Sequence, residues 1–208
     1  MRNIIVSEHP VVATRLAILR SNATAPDEFR RALQELSVLL FAEAARNFET
    51  RSVEIETPLQ TCRGSILAHS IVLVPILRAG LGMLDGISRV VPEANIGHIG
   101  IYRDEQTLKP VSYFSRLPLN LAQSETLLLD PMLATGNSAC EAVSIVKAAG
   151  ATRIRFLCVV ACPPGIQQLQ SQHPDVAIIT AAIDSELNAS GYIVPGLGDA
   201  GDRYFGTG

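Results

Sequence analysis

The stretch LLLDPMLATGNSA, from Leu127 to Ala139, runs three leucines into one acid, Asp130, and then into a turn of small residues. Pro131, Met132, Leu133, Ala134, Thr135, Gly136, Asn137 and Ser138 follow the acid and lead into a segment that can be helix. A helix N-terminus presents backbone N–H groups and the positive end of the helix dipole, which together attract an anion. The dipole alone contributes about 0.3–1 kcal/mol. Holding a phosphate therefore takes several donors at once, and the Thr-Gly-Asn-Ser run supplies them. No Gly-Lys-Ser/Thr follows, so this is not a Walker loop. A carboxylate beside such a cradle repels phosphate but accepts well from the vicinal hydroxyls of a sugar. Strand, acid, cradle and helix thus suggest a ribose 5-phosphate pocket. Taken singly, the same residues have a plainer reading, because Asp, Pro, Gly, Asn and Ser end strands and cap helices. The ordered combination is what points to chemistry.

Other chain segments end in comparable residues. SIVLVPIL, 70–77, is followed by Arg78, Gly80 and Gly82. An arginine fork suits phosphate and glycines admit a ligand close to the backbone, although this stretch alone reads as a packing turn. HIGIYR ends on Arg103, which opens the connection YRDEQTLKPVSYFSRLP, 102–118. That connection is long for a compact domain and reads as a functional lid. Near the C-terminus, GLGDAG, 196–201, matches G-x-G-x-x-G. The dinucleotide reading needs a helix next, and DRYFGTG is not expected to form one, so it is rejected. The alternative is a shaped backbone surface for a flat polar ligand. Asp199 and Asp202 supply acids there, and Tyr192, Ile193, Val194, Tyr204 and Phe205 supply anchors.

These residues need a frame. ETLLLD, RIRFLCVVAC and DVAIITAAID join SIVLVPIL and HIGIYR as short apolar runs, separated by segments of helical character. Strands apolar throughout and alternating with helices predict an α/β fold, a mostly parallel sheet covered on both faces. Ligands bind such sheets at the carboxyl ends of the strands. Upstream, Phe29, Leu33, Leu36 and Leu40 recur at helical spacing after Pro26, Asp27 and Glu28, which predicts a scaffold or subunit-contact helix over 26–47. Asn137 to Ala149 reads as another helix, with Gly150 as its cap.

The 208 residues suffice for one sizeable core. The chain is 48% hydrophobic and 18% charged, with mean hydropathy +0.26, which excludes a disordered chain. A net charge of -3 argues against a dedicated nucleic-acid binder, so no nucleic acid is expected as partner. Cys62, Cys140, Cys158 and Cys162 match no common zinc spacing and read as free thiols, consistent with a reducing cytoplasm. The N-terminal segment lacks the apolar core of a signal peptide, and no apolar run is long enough to span a membrane.

With these pieces in place, the chain resembles the uracil phosphoribosyltransferases of the type I phosphoribosyltransferase fold, a Rossmann-like core. The motifs are VPILRAGLGM (74–83), YRDEQTLKPVSYF (102–114), LLDPMLATGNS (128–138) and LNASGYIVPGLGDAGDRYFGT (187–207), with HPVVATRLAILR (9–20) similar to the family's N-terminal segment. The resemblance spans essentially the whole chain. One acid followed by proline, Asp130–Pro131, stands where most type I relatives carry two acids. Three positions depart from the family's pattern. Pro164 replaces Glu in Pro-Glu-Gly, Ala189 stands where Glu follows Leu-Asn, and Asn137 stands where Gly is common. Asn tolerates the left-handed conformation, so the cradle is expected to survive.

The resemblance implies a pyrimidine salvage enzyme that transfers phosphoribose from 5-phospho-α-D-ribose 1-diphosphate (PRPP) to N1 of uracil, giving UMP and diphosphate with Mg²⁺. It implies one domain with an N-terminal helical segment at 10–48 and a small C-terminal hood at about 184–208. Arg78 and Arg103 would clamp the diphosphate, Asp130 the ribose hydroxyls and the cradle from Ala134 to Ser138 the 5-phosphate, with Pro131, Met132 and Leu133 also in the PRPP site. Ile193, Gly198, Asp199 and Ala200 would read uracil. Asp199 also falls in the donor site, and two roles stay open for it: orienting Mg²⁺ and assisting loss of the N1 proton. The metal would be held mainly through diphosphate and water. A homodimer or homotetramer is implied, and GTP is a candidate effector. Two other readings compete: an RNA-binding regulator of pyrimidine genes on the same fold, and a transferase for another base.

Overall fold

The computed structural model describes residues 3–103 and 110–207, with the side chain of Arg103 outside that description. In chain order the elements are β1 (Ile4–Val6), α1 (Pro10–Arg20), α2 (Pro26–Ala45), β2 (Thr50–Glu56), β3 (Thr61–Leu67), β4 (Ser70–Leu77), α3 (Leu81–Ile87), β5 (Asn95–Ile96), β6 (His98–Arg103), β7 (Pro110–Arg116), a 3₁₀ turn (Leu121–Gln123), β8 (Ser124–Leu129), β9 (Met132–Leu133), α4 (Asn137–Ala148), β10 (Arg153–Ala161), α5 (Pro163–Gln172), β11 (Ala177–Ile183), β12 (Glu186–Leu187), β13 (Ile193–Val194) and α6 (Ala200–Phe205).

The main sheet runs β1-β11-β10-β8-β4-β6-β7. Every pairing along it is parallel except β6 with β7. The five apolar runs of the sequence are its five inner strands. Their side chains alternate between two cores. Leu127, Leu129, Leu157 and Ile179 join α1, α2 and α3 on one face, whereas Val72, Leu128, Phe156 and Ile178 join α4 and α5 on the other. Burial on both sides explains why these strands show no polar alternation.

Local signals set the helices. Pro10 and Pro26 open α1 and α2 at positions that need no N–H donor, and His9 Nδ1 accepts from the Val11 N–H at 3.1 Å. Phe29, Leu33, Leu36 and Leu40 are all buried, as their spacing requires. At the end of α4, Gly150 has φ 98°, its N–H donates to Lys147 C=O, and Ala151 N–H donates to Val146 C=O. This paired arrangement satisfies the last carbonyls of the helix.

Two elements differ from the sequence reading. Much of the long 102–118 connection is strand, because β7 pairs antiparallel with β6 from His98↔Arg116 to Arg103↔Pro110. The expected lid tip, 104–109, lies outside the described residues. The tail also carries a helix, α6, where none was expected.

Candidate active site

The donor half of the site sits at the carboxyl ends of β8 and β9. Asp130 follows β8 directly, and its Oδ1 accepts from Met132 N–H at 3.3 Å. Burial pushes the Asp130 carboxyl up to about 7; the Met132 N–H opposes the rise and the Asp199 carboxylate adds to it. Asp199 therefore feels the same space as Asp130, although one stands on the sheet and the other in the tail. Met132 and Leu133 pair with Val160 and Ala161 of β10, which fixes the chain ahead of the turn.

The turn then enters α4 through Gly136, at φ 84°. The left-handed residue is thus Gly136, and Asn137 is the first helical residue; its tolerance for that conformation is not used. The first helical hydrogen bond is Cys140 N–H to Gly136 C=O at 2.9 Å, so the amides before it point off the helix end. The back wall of this turn is the first turn of α5. A Cβ on Gly165 would stand 2.5 Å from the Ala134 carbonyl oxygen and 2.7 Å from that of Leu133. A Cβ on Gly136 would stand 2.8 Å from the Gly165 carbonyl oxygen. Pro163 and Pro164 open α5 just before this contact, where proline costs no hydrogen bond. The departure at Pro164 therefore fits the local backbone.

The acceptor half is a cleft of about 230 Å³ whose lining includes Ala79, Met132, Ile193, Gly198, Asp199 and Ala200. The four residues expected to read a flat ring are brought together, and they face Met132 and Ala134 of the donor half. Asp199 has a structural task as well: its Oδ1 accepts from Asp202 N–H at 2.8 Å and caps α6. The expectation of a helix-free tail is thus corrected, because a capped turn forms as soon as Asp199 supplies an acceptor. The dinucleotide reading fails on a different ground. The strand before the glycines, β13, has two residues, pairs antiparallel with β12 and stands outside the main sheet.

Arg78 follows β4 and crosses to the tail. Its Nη2 donates to Asp202 Oδ1 at 3.0 Å, its guanidinium lies 5.6 Å from the Phe205 ring centre, and 58% of its side chain is exposed. The Thr207 hydroxyl donates to the same Asp202 oxygen at 2.8 Å. Asp202, which the sequence offered only as a nearby acid, is thus the group that holds Arg78. Arg103 ends β6, and its side chain lies outside the described residues. The tail is fastened beyond α6 too. The Tyr204 hydroxyl donates to Asp85, and Arg30 donates to the Tyr204 carbonyl at 2.9 Å. Burial, with the Asp85 carboxylate, raises the Tyr204 phenol.

The described residues contain no group of three or more His, Cys, Asp or Glu arranged to hold a metal ion. Asp130 and Asp199, close enough for one to raise the other, instead suit a hard cation that arrives with phosphate oxygens and water. The arrangement as a whole offers amides at a helix end, an acid, an arginine and a backbone-lined slot.

The model of the family described as uracil phosphoribosyltransferase matches residues 6–207. The uracil phosphoribosyltransferase of Dictyoglomus turgidum is 52% identical over 205 residues, covering 98% of this chain and 99% of that one. Among solved structures, the AQ2163 protein from Aquifex aeolicus superposes with TM-score 0.93 at 36% identity, over 98% of each chain. A hypoxanthine phosphoribosyltransferase from Staphylococcus aureus shares the fold at TM-score 0.52 and 12% identity, over 76% of each chain.

Proposed function

The chain belongs to the uracil phosphoribosyltransferase family, and on that premise we propose how its residues perform the transfer from PRPP to N1 of uracil, giving UMP and diphosphate. The observation that carries this reading is the single cleft in which Met132 and Ala134 of the cradle meet Ile193, Gly198, Asp199 and Ala200 of the tail. A donor on one side and a flat acceptor on the other are then within reacting distance.

The cradle from Ala134 to Ser138 holds the 5-phosphate, mainly through amides at the start of α4 and the hydroxyls of Thr135 and Ser138. Asp130 accepts from the ribose hydroxyls. Its raised pKa fits this role, because an unliganded carboxylate there lacks donors that the ribose would provide. Arg78 exchanges its contact with Asp202 for oxygens of the diphosphate, and Arg103, which ends β6, is the second arginine assigned to that group. The anomeric carbon becomes oxocarbenium-like as its bond to diphosphate breaks, and uracil N1 attacks from the opposite face. Donors placed where the leaving group gains charge are worth about 10²–10³ in rate each. Asp130 and Asp199 would help hold a Mg²⁺ that arrives with the donor, and the ion would supply neutralisation of that charge. Asp199 lies at the junction of base and donor, and both metal-water orientation and N1 proton removal fit its position.

Residues 184–208 act as the hood within one catalytic domain. The chain works as a homo-oligomer. Among the described residues β2 and β3 pair only with each other, and by their register Val53, Ile55, Cys62 and Ile66 share one face, with Arg51 at its edge opposite Ile66. Ile55 and Ile66 remain 44% and 41% exposed, and an isolated two-strand hairpin is marginal in water, so a second copy is its natural cover. Four free cysteines fit a cytoplasmic setting. GTP remains a candidate effector.

The test is diphosphate release from PRPP and Mg²⁺ with uracil, cytosine, orotate, hypoxanthine or no base. Release with uracil alone, yielding UMP, is the expected outcome. Activity with a different base would overturn the assignment of residues 193–200. No activity, with or without GTP, would favour the RNA-binding regulator.

A further inference from the structure

The backbone expected to read the base is held by two arginine ties that close between the ends of the chain. Arg20, the last residue of α1, grips Asp184 with both arms of its guanidinium, at 2.6 and 2.7 Å. The same Nη1 donates to the Gly196 carbonyl at 2.8 Å. Gly196 N–H in turn donates to Asp184 Oδ2 at 2.8 Å. Both polar backbone groups of Gly196 are therefore fixed by one ion pair. Asp184 is only 6% exposed and stands just past the carboxyl end of β11. Burial pushes its carboxyl up, but Arg20 and the Gly196 N–H more than offset this and leave it below the usual range.

The second tie runs the other way. Arg203 of α6 donates to the carbonyls of Leu19 and Ser21, at the partly negative end of α1, and to the Leu197 carbonyl at 2.7 Å. Its guanidinium stacks 4.4 Å from the Phe29 ring centre. Gly196 has φ 58° and Gly198 φ 74°, so the 196–198 backbone has a shape that few residues adopt and that needs fixing from outside.

We propose that Arg20 and Asp184 are positioning residues for the acceptor base, setting the height and tilt of the 196–198 backbone, with Arg203 as the second tie. The inference rests on the reading that this cleft holds the base. It gives the N-terminal helix α1 a part in base recognition, although Arg20, Asp184 and Arg203 do not line the cleft. Lysine cannot reproduce the bidentate fork, so Arg20→Lys keeps the charge and loses the geometry.

The experiment uses the full chain carrying Arg20→Lys, Asp184→Asn or both. The KM values for uracil and PRPP are measured separately, and amide hydrogen exchange is followed by mass spectrometry in the free protein. Each single variant is expected to raise the uracil KM by about tenfold to a hundredfold, since displacements near 1 Å reach that size. The PRPP KM should stay near wild type, and exchange should quicken across 193–199 while α4 and β8 keep their protection. The double variant should be no worse than the worse single one, because both break one network. An unchanged uracil KM, or equal rises in both KM values with faster exchange throughout the chain, would overturn the proposal. If the wild type prefers another base, the reading of substrate fails on its own. The exchange data and the KM for that base then decide the clamp, and unchanged exchange across 193–199 sinks it.

Discussion

The two halves of the site are built by different means. The donor half is made of backbone at the ends of hydrogen-bonded strands: Asp130 leaves β8 directly, and the cradle is one turn between β9 and α4. The acceptor half has almost no sheet beneath it. Its β13 has two residues, and its shape is kept by side chains arriving from α1, α2 and α3. A half made from strand ends is rigid because the sheet is, and its faults should be local. A half held by arginines and a tyrosine depends on contacts far away in sequence, and its faults should come from residues that never touch a ligand.

The sharpest way to break this contrast is at Asp130. Asp130→Asn should lower kcat/KM for PRPP by about a hundredfold or more, while the circular dichroism spectrum stays native. Near-normal kinetics would remove Asp130 from the donor half. The same residue sets a pH dependence. Burial pushes its carboxyl from 3.8 up to about 7, so the fold is favoured most when it is protonated. Its contribution is full below about pH 4 and is lost as pH rises through 7. Thermal unfolding of the free protein should therefore show wild type losing stability relative to Asp130→Asn from about pH 4 to 7 and levelling off above that. Productive PRPP binding needs the ionised acid, so kcat/KM for PRPP should climb through pH 7 in the opposite sense.

Next in size is the wall of the cradle. Gly165→Ala puts a methyl against the Ala134 and Leu133 carbonyls and should cost about 1–3 kcal/mol of stability. Its kinetic mark should be a raised PRPP KM with the uracil KM nearly unchanged, the mirror image of the Arg20 variants. A uracil-specific defect would show that the two halves are not separable. Asp202→Asn tests a direct bridge between them. Arg78 then has no ion pair to give up on meeting phosphate, and the PRPP KM should fall by up to a few-fold, as an exposed pair worth up to about 1 kcal/mol allows. The smallest effect on chemistry is expected in the hairpin. Ile55→Lys with Ile66→Lys should shift sedimentation to a smaller species and leave the secondary structure of each chain unaltered.

The sequence by itself determined the parallel sheet and the place of Asp130 and residues 131–138 at the end of one of its strands. The five apolar runs are strands because each carries enough β-branched and leucine side chains to be buried on both faces, and that signal is local. Position at a strand end followed from the strands, so Asp130 and residues 131–138 were legible without knowing any contact. Tertiary structure alone decided the rest. Nothing near Arg20 announces that it will meet Asp184 and Gly196, because that pairing spans most of the chain. Nothing in DRYFGTG shows a helix until Asp199 caps it and Tyr204 is anchored on Asp85. The left-handed turn fell on Gly136, where a Cβ would also strike the Gly165 carbonyl of α5, and not on Asn137. Periodicity and turn chemistry are written in neighbouring residues, whereas a loop held by distant side chains takes its shape only when the chain has closed.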